Sequence, residues 1–427
     1  MNTRGFTGLA GTGKTTRLLR ELEAQLAVQP LADGQRVLAL TFMHGSRFRL
    51  IDRLAKSSAR RRFECATFDR FAWELCRRWR SRLRARNIVL PVGENIPDYD
   101  ATCDAASKLL EAEDVVKWIR ARFPVVLIDE FQDCLPVRLA IAQRLHGHVE
   151  LFVAADDFQN LNMTTESPAV AWLRSAGTVE DLTFIHRTNL SGLLKAATAL
   201  RNGTPLADGP GFKLVGLPVP KPAASFVAQT IGGEAPGDAM IISPARPEKS
   251  KFVRAVLDLI GQNSYGNQHA GPFSIRWEKT AEILETESLA ALGLAQSANL
   301  PSLEAATMLQ QIDGPIARQL ARWVEHQRCV LGRATFGAEE VRAQVRRAAQ
   351  HLRSFETHAQ GGRRAMTIHQ AKNREFPVVI VLWSFGVPGE DTLARRWLYN
   401  AVTRAKRRAI VVVEDPKRDR LKKARFA

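Results

Sequence analysis

Cysteine is scarce and scattered in this chain. The five, Cys65, Cys76, Cys103, Cys134 and Cys329, form no C-x-x-C pair and have no histidine at zinc-ligand spacing, so they read as free thiols rather than a disulfide framework or a zinc site. No apolar run approaches the roughly 18 residues of a membrane span. The N-terminal MNTRGFTGLAG lacks the basic region and continuous apolar core of a secretory signal, so the expected address is the cytoplasm. There is no internal repeat, long low-complexity linker or recognisable nuclease motif. Acids are outnumbered: 44 Asp and Glu stand against 61 Lys and Arg, giving a net charge of +17 and a pI near 10.2. That balance leans toward a polyanionic partner such as nucleic acid, although a solvated basic surface has the same arithmetic.

What is present suffices for a globular protein. With 427 residues, 45% of them hydrophobic, the chain has room for about two to four structural units, each with its own core. The opening stretch alternates short apolar runs with helical patterns: FTGLAG, a helix from about Lys14, RVLALTF, then a helix over SRFRLIDRLAK. From Phe71 to about Arg122 the pattern turns helical and basic, as in CRRWRSRLRARN, before strands resume at FPVVLIDE and VELFVAADD. A second α/β unit begins near Val179 with TVEDLTFIHRTN, the helix NLSGLLKAATALRNG and the strand DAMIISPA. A mostly helical block then runs to about Gly361, and strands return at PVVIVLW and AIVVVE. The expected architecture is α/β, with two parallel-sheet lobes each interrupted by a helical insert: residues 1–70 and 123–178 for the first lobe with insert 71–122, and 179–260 and 362–427 for the second with insert 261–361.

Gly8-Leu-Ala-Gly-Thr-Gly-Lys-Thr15 fits GxxxxGK[ST] between an apolar strand and a helix. Such a loop cradles phosphates with backbone N–H groups at a helix N-terminus, which makes Gly8, Gly11, Gly13, Lys14, Thr15 and Thr16 the expected nucleotide contacts. Lys14 would reach the terminal phosphates and Thr15 would hold Mg²⁺. In a phosphate-loop protein the acid closing a core strand ligates the same ion and the following Glu polarises the attacking water. VVLIDEFQD supplies Asp129 and Glu130 for those roles.

DEFQD resembles motif II of the UvrD/Rep/PcrA family of superfamily 1 helicases, and further motifs follow in that family's order. ALTFMHG, with Thr41 and Phe42, resembles motif Ia, and ATFDRFA, with Thr67 and Phe68, resembles the next DNA-contacting motif. VAADDFQNL resembles motif III with Gln159, and FIHRTN resembles motif IV with Arg187 at the γ-phosphate-sensing position. MTIHQAKNREFPVVIV resembles motif V, with His369 toward DNA and Glu375 near the ribose, and RRWLYNAVTRAKRRAIVV resembles motif VI with Arg404. The resemblance implies two RecA-like lobes that clamp ATP and Mg²⁺, with Glu130, Gln159, Arg187 and Arg404 serving hydrolysis. It further implies translocation on single-stranded DNA, 3′ to 5′. Phe42 and Phe68 read equally as core residues, and by residue type alone the core is the better reading for a Phe. Trp73 and Trp79, with their neighbouring arginines, read either as a duplex-binding face or as buried Trp on a solvated helix.

The family pattern is not kept throughout. No adenine-reading Gln motif precedes Gly8, and NLNMTTES lacks the Trp-Arg-Gly that usually follows motif III. His186 replaces the Tyr before Arg187, and Lys372-Asn-Arg-Glu stands where Lys-Gly-Leu-Glu is common. These changes weigh more on processive unwinding and base selectivity than on ATP hydrolysis. The reduced plan also resembles the helicase subunit of Gabija-type antiphage systems, which works with a nuclease. Rival readings are a nucleic-acid-gated ATPase switch acting on a partner, and an RNA-directed motor.

Overall fold

The computed structural model describes residues 2–42, 44–88, 92–93, 96–267, 269–279, 281–291, 299–311, 314–355, 362–384, 390–417 and 426. Runs apolar on both faces become central parallel strands, because helices cover each side of the sheet and leave no face for polar alternation. The strands of the first lobe are β1 (Thr3–Gly8), β2 (Val37–Thr41), β3 (Phe63–Thr67), β4 (Val125–Ile128), β5 (Glu150–Ala155) and β6 (Thr178–Leu182), with β3 and β6 at the edges. They pair in parallel in the order β3-β2-β4-β5-β1-β6. The second lobe has β7 (Phe212–Leu217), β8 (Ala239–Ser243), β9 (Ile275–Trp277), β10 (Arg363–Thr367), β11 (Phe376–Trp383) and β12 (Ala405–Glu414). Their order is β9-β10-β8-β11-β12-β7, again parallel. This is the expected α/β class with two RecA-like sheets.

Register decides what meets between the lobes. Thr7 aligns with Ala155 and Ile128 with Val153, so β1, β4 and β5 end along one edge and deliver the Gly8 loop, Asp129 and Asp156 together. Ligands of open parallel sheets sit at this carboxyl edge. The second lobe answers with the opposite end of its strands. Phe376 pairs with Ala405, so the residues just before them, Glu375 and Arg404, stand side by side.

Three boundaries differ from those expected. β6 pairs with β1, so the first sheet takes a strand from beyond residue 178. β9 lies inside the expected insert 261–361 yet pairs with β10, extending the second sheet. The helices of 71–122 are not a separate body, because Phe71, Leu75, Cys103 and Leu109 share one buried cluster with Val126, Ile128 and Val153 of the sheet. By contrast the helices Ser302–Gln311, Pro315–Leu331 and Ala338–Phe355 gather their own core around Leu309, Leu320, Val324, Phe336 and Val345. The lobes are packed on each other: Ala10, Phe158 and Leu161 of the first join Leu193, Leu398 and Tyr399 of the second in one apolar cluster. No helix among the described residues is long and apolar enough to cross a membrane.

Candidate nucleotide cleft between the lobes

A cleft of about 430 Å³ opens where the two edges meet. One wall carries Gly11, Gly13, Lys14, Thr15, Thr16, Asp129, Glu130 and Gln159, and the other His186, Arg187, Glu375 and Arg404. Gly11 and Gly13 have φ of 85° and 81°, the left-handed region that favours glycine. A Cβ at Gly11 would also stand 2.6 Å from Arg187 Cβ, so the loop is glycine partly to admit the second lobe. The backbone N–H of His186 donates to Gly11 O at 2.8 Å, which pins the two together.

Lys14 turns its ammonium back on the loop. It donates to Gly8 O at 2.9 Å and Leu9 O at 2.8 Å and lies 3.3 Å from Asp156 Oδ2. The Thr15 hydroxyl donates to Asp129 Oδ2 at 3.1 Å. Burial pushes the Asp129 carboxyl up to about 6, and the charge of Glu130 adds to this, while Thr15 and Arg49 pull partly back. A hydroxyl and two adjacent carboxylates are a hard oxygen set suited to Mg²⁺. Among the described residues no group of three or more His, Cys, Asp or Glu forms a metal cluster, so phosphate and water would supply the remaining ligands.

Glu130 adopts φ 61°, strained for a residue with a side chain, at the turn that closes β4. Its Oε2 accepts from Gln132 Nε2 at 2.6 Å, and Gln132 Oε1 accepts the Asp156 N–H at 2.9 Å. Gln159 Nε2 donates to Asp156 Oδ2 at 2.8 Å, and Arg404 Nη2 donates across the lobes to Gln159 Oε1 at 3.2 Å. A chain of hydrogen bonds therefore runs from Glu130 to Arg404. Burial, with Arg187 nearby, pushes the Arg404 guanidinium down to about 10. Arg187 itself pairs with Glu375 at 2.7 Å and donates to Thr403 O at 2.6 Å. Burial alone would raise the Glu375 carboxyl, but Arg187 and Lys406 hold it below the ordinary range.

The residues expected to meet DNA divide. Thr41 and Phe68 are 0% and 1% exposed, beneath the surface rather than on it, which corrects the expectation of contact. Thr41 ends a strand flanked on both sides, and Phe68 opens the helix Phe68–Arg78, whose apolar face packs on the sheet. Phe42 is half-buried and stacks on Phe68, with ring centroids 4.8 Å apart and planes at 21°. Thr67 caps that helix by accepting the Arg70 N–H at 3.2 Å. His369 is exposed and sits edge-on to Trp397 at 5.9 Å. Trp79 packs on the first-lobe core and edge-on to Trp118, which favours its buried reading.

Several lining residues were not expected. Ser46, Arg49, Leu50 and Arg53 reach the cleft from the helix His44–Leu54, and their spacing marks one helical face. Asp156 and Tyr399 form the hub beneath the loop: Tyr399 Oη accepts the Ala10 N–H at 2.7 Å and donates to Asp156 Oδ2 at 3.1 Å.

Residues 92–161 match the UvrD/REP helicase N-terminal domain, and residues 363–412 match the UvrD-like helicase C-terminal domain. The first match contains Asp129, Glu130 and Gln159, the second Glu375 and Arg404, in the order in which the cleft assembles them. The chain thus carries UvrD-like helicase domains in both lobes. No curated protein matches the UvrD-like chain in sequence. Among solved structures it is similar to the Arterivirus nonstructural protein 10 helicase, at 13% identity over 98% of this chain and 61% of that one, TM-score 0.40. It is also similar to the Arterivirus protein in complex with DNA, at 12% identity over 99% and 63%, TM-score 0.40. The PRRSV helicase is a third, at 13% identity over 97% and 53%, TM-score 0.39. The UvrD-like chain thus spans 53 to 63% of the length of those helicases.

Proposed function

We propose that the chain is an ATP-driven motor on single-stranded DNA, moving 3′ to 5′ and separating strands as it goes. The observation that carries this reading is the division of charge across the cleft: Lys14, Thr15, Asp129 and Glu130 on one wall, Arg187 and Arg404 on the other. Phosphoryl transfer is catalysed by positioning and by neutralising charge on the phosphate oxygens, and here the cations come from both lobes. Lys14 and the loop amides bind the phosphates, while Thr15 and Asp129 would hold a Mg²⁺ ion, whose charge would offset that of the phosphates. Glu130 takes the proton of the attacking water, held in place by Gln132. Arg187 and Arg404 complete the site only when the lobes are closed, so binding and release of ATP close and open the molecule. Gln159 carries that movement toward the DNA side, where Phe42, Thr67 and His369 form the track for the strand.

The test is ATP turnover with and without single-stranded DNA, together with strand displacement on a duplex bearing a 3′ tail. Stimulated turnover with displacement is expected, and turnover that ignores DNA would sink the motor. A second reading has one observation behind it. Around Phe42 and Phe68 one half-buried ring is available for stacking, where a row of bases would use several aromatic faces. In that reading the chain is a DNA-gated ATPase switch regulating a partner such as a nuclease. DNA-stimulated turnover without displacement selects it.

A further inference from the structure

Asp156 follows β5 with its side chain fully buried and faces cations from both lobes. Its Oδ2 receives Lys14 at 3.3 Å, Gln159 Nε2 at 2.8 Å and the Tyr399 hydroxyl at 3.1 Å. Its Oδ1 faces Arg201 Nη1, from the helix Ser191–Asn202 of the second lobe, at 3.6 Å. Both of these atoms are buried, and neither has a hydrogen-bond partner among the described residues. A buried donor and acceptor left just beyond bonding distance are costly, and a shift of a few tenths of an ångström would join them. Arg201 lies outside all the motifs above.

Filling the cleft makes that contact matter. A nucleotide draws Lys14 from Asp156 to the phosphates, and a carboxylate with no exposed surface then keeps Arg201 as its cation, beside a phenol and an amide. Without Arg201 the buried charge would stand unpaired, which is strongly unfavourable. We infer that Arg201 is a positioning residue that takes over as counter-ion to Asp156 when Lys14 moves to the phosphates of ATP. Nucleotide binding is thereby coupled to the seating of the helix Ser191–Asn202 on the end of β5. The shift reaches Glu130 as well, because Gln132 links the Asp156 N–H to the Glu130 carboxylate. The inference rests on the reading of the cleft as an ATP site.

The experiment is the affinity of the full chain for MgATP, measured by calorimetry on wild type, Arg201→Gln, Arg201→Lys, Asp156→Asn and the double variant Arg201→Gln/Asp156→Asn, with thermal unfolding as a check on folding. Arg201→Gln should weaken binding about tenfold and Arg201→Lys should recover most of it. Asp156→Asn, which removes the competitor for Lys14, should bind at least as tightly as wild type. In that background Arg201→Gln should change affinity by less than about twofold. Unchanged affinity in Arg201→Gln, or a tenfold loss that persists when Arg201→Gln is combined with Asp156→Asn, overturns the inference. Should Arg201→Gln fail to fold, Asp156→Asn alone decides, and a tenfold loss there overturns it equally. Wild type that binds no MgATP, or Lys14→Ala that binds it normally, sinks the ATP-site reading instead.

Discussion

Lys372 places its ammonium 2.6 Å from both carboxylate oxygens of Asp133, tying the segment after β10 to the turn after β4 across the lobe boundary. Both side chains are largely buried, at 9% and 19% exposure, so the pair is poorly screened. Burial raises the Asp133 carboxyl and Lys372 only partly offsets this. Lys372→Met should therefore strand a charge and cost about 3 kcal/mol, the range for breaking a buried pair from one side. The double variant Lys372→Met/Asp133→Leu should recover most of that loss. In Lys372→Met the loss should be larger at pH 8 than at pH 5, because protonation of Asp133 removes the stranded charge. Thermal unfolding of the three proteins at both pH values checks this, and equal losses in the single and double variants would contradict it.

Asp129 sets a second pH dependence. Its carboxyl titrates at about 6 in the folded chain against an ordinary 3.8, chiefly through burial and then through Glu130. Between those values the folded state keeps a proton that the unfolded chain has released, so ligand-free stability falls as pH rises from about 4 to about 6 and stays lower above. Asp129→Asn should raise the Tm of the ligand-free protein by several degrees at pH 8 and change it little near pH 4. For binding of a cation the demand is reversed, since the carboxylate form is needed. The Mg²⁺ concentration for half-maximal turnover should accordingly rise as pH drops below about 6, as a titration of Mg²⁺ at pH 5.5 and 7.5 would read.

Lys14 and Glu130 should separate binding from chemistry. Lys14→Ala removes the cation poised over the loop and should weaken ATP binding and turnover together. Glu130→Gln keeps size and polarity but loses the base, so ATP should bind normally while turnover falls by about two to four orders of magnitude. Binding by calorimetry and single-turnover hydrolysis distinguish the two. Near-normal turnover in Glu130→Gln would remove Glu130 from the role of base.

The parts of the site legible in the sequence were those where chemistry is local. Gly8 to Thr15 and Asp129 to Glu130 each follow an apolar strand, so the strand end and the reactive group occur in one window. Arg404 was legible because the helix and strand around it form one contiguous motif. Asp156 was harder: it sits beside Gln159 in sequence, but its role depends on Lys14, Tyr399 and Arg201, up to 243 residues away. Ser46, Arg49 and Arg53 needed a helical face to be projected onto a cleft whose other wall is formed far along the chain. In the fold, the stretch of β6 was placed with the second unit and β9 was passed over inside a helical block, for a shared reason. β6 is an edge strand with Glu180 and Asp181 exposed, and β9 has three residues, so neither carries the apolar run that marks a buried parallel strand.

Gln159 and Arg404 bond motif III to motif VI at the cleft itself, and cutting that bond from either end should have different consequences. Arg404→Ala removes both the bond and a cation of the cleft, so turnover should drop by about two to three orders of magnitude with DNA affinity nearly kept. Gln159→Ala leaves the cation but frees it, so basal turnover should fall less while stimulation by single-stranded DNA is lost. Turnover with and without DNA, alongside DNA affinity, reads the difference. Equal loss of turnover and DNA binding in Arg404→Ala would mark the arginine as structural.

Phe42 and Phe68 stack on each other but should answer differently when truncated. Phe68 is buried in the first-lobe core, so Phe68→Ala should cost about 3 to 5 kcal/mol by opening a cavity. That is enough to lower Tm clearly, and any effect on DNA would follow from it. Phe42 is half-buried over Phe68, so Phe42→Ala loses less packing but removes the aromatic face that remains available to a base. Stacking on an aromatic is worth about 1 to 3 kcal/mol per base, so the affinity for single-stranded DNA should fall about tenfold or more, with Tm only slightly lowered. Affinity by fluorescence anisotropy at fixed salt, with Tm measured on the same samples, tests the pair. An unchanged DNA affinity in a well-folded Phe42→Ala would move the strand's path away from this edge, because Phe68, the other aromatic expected there, is buried.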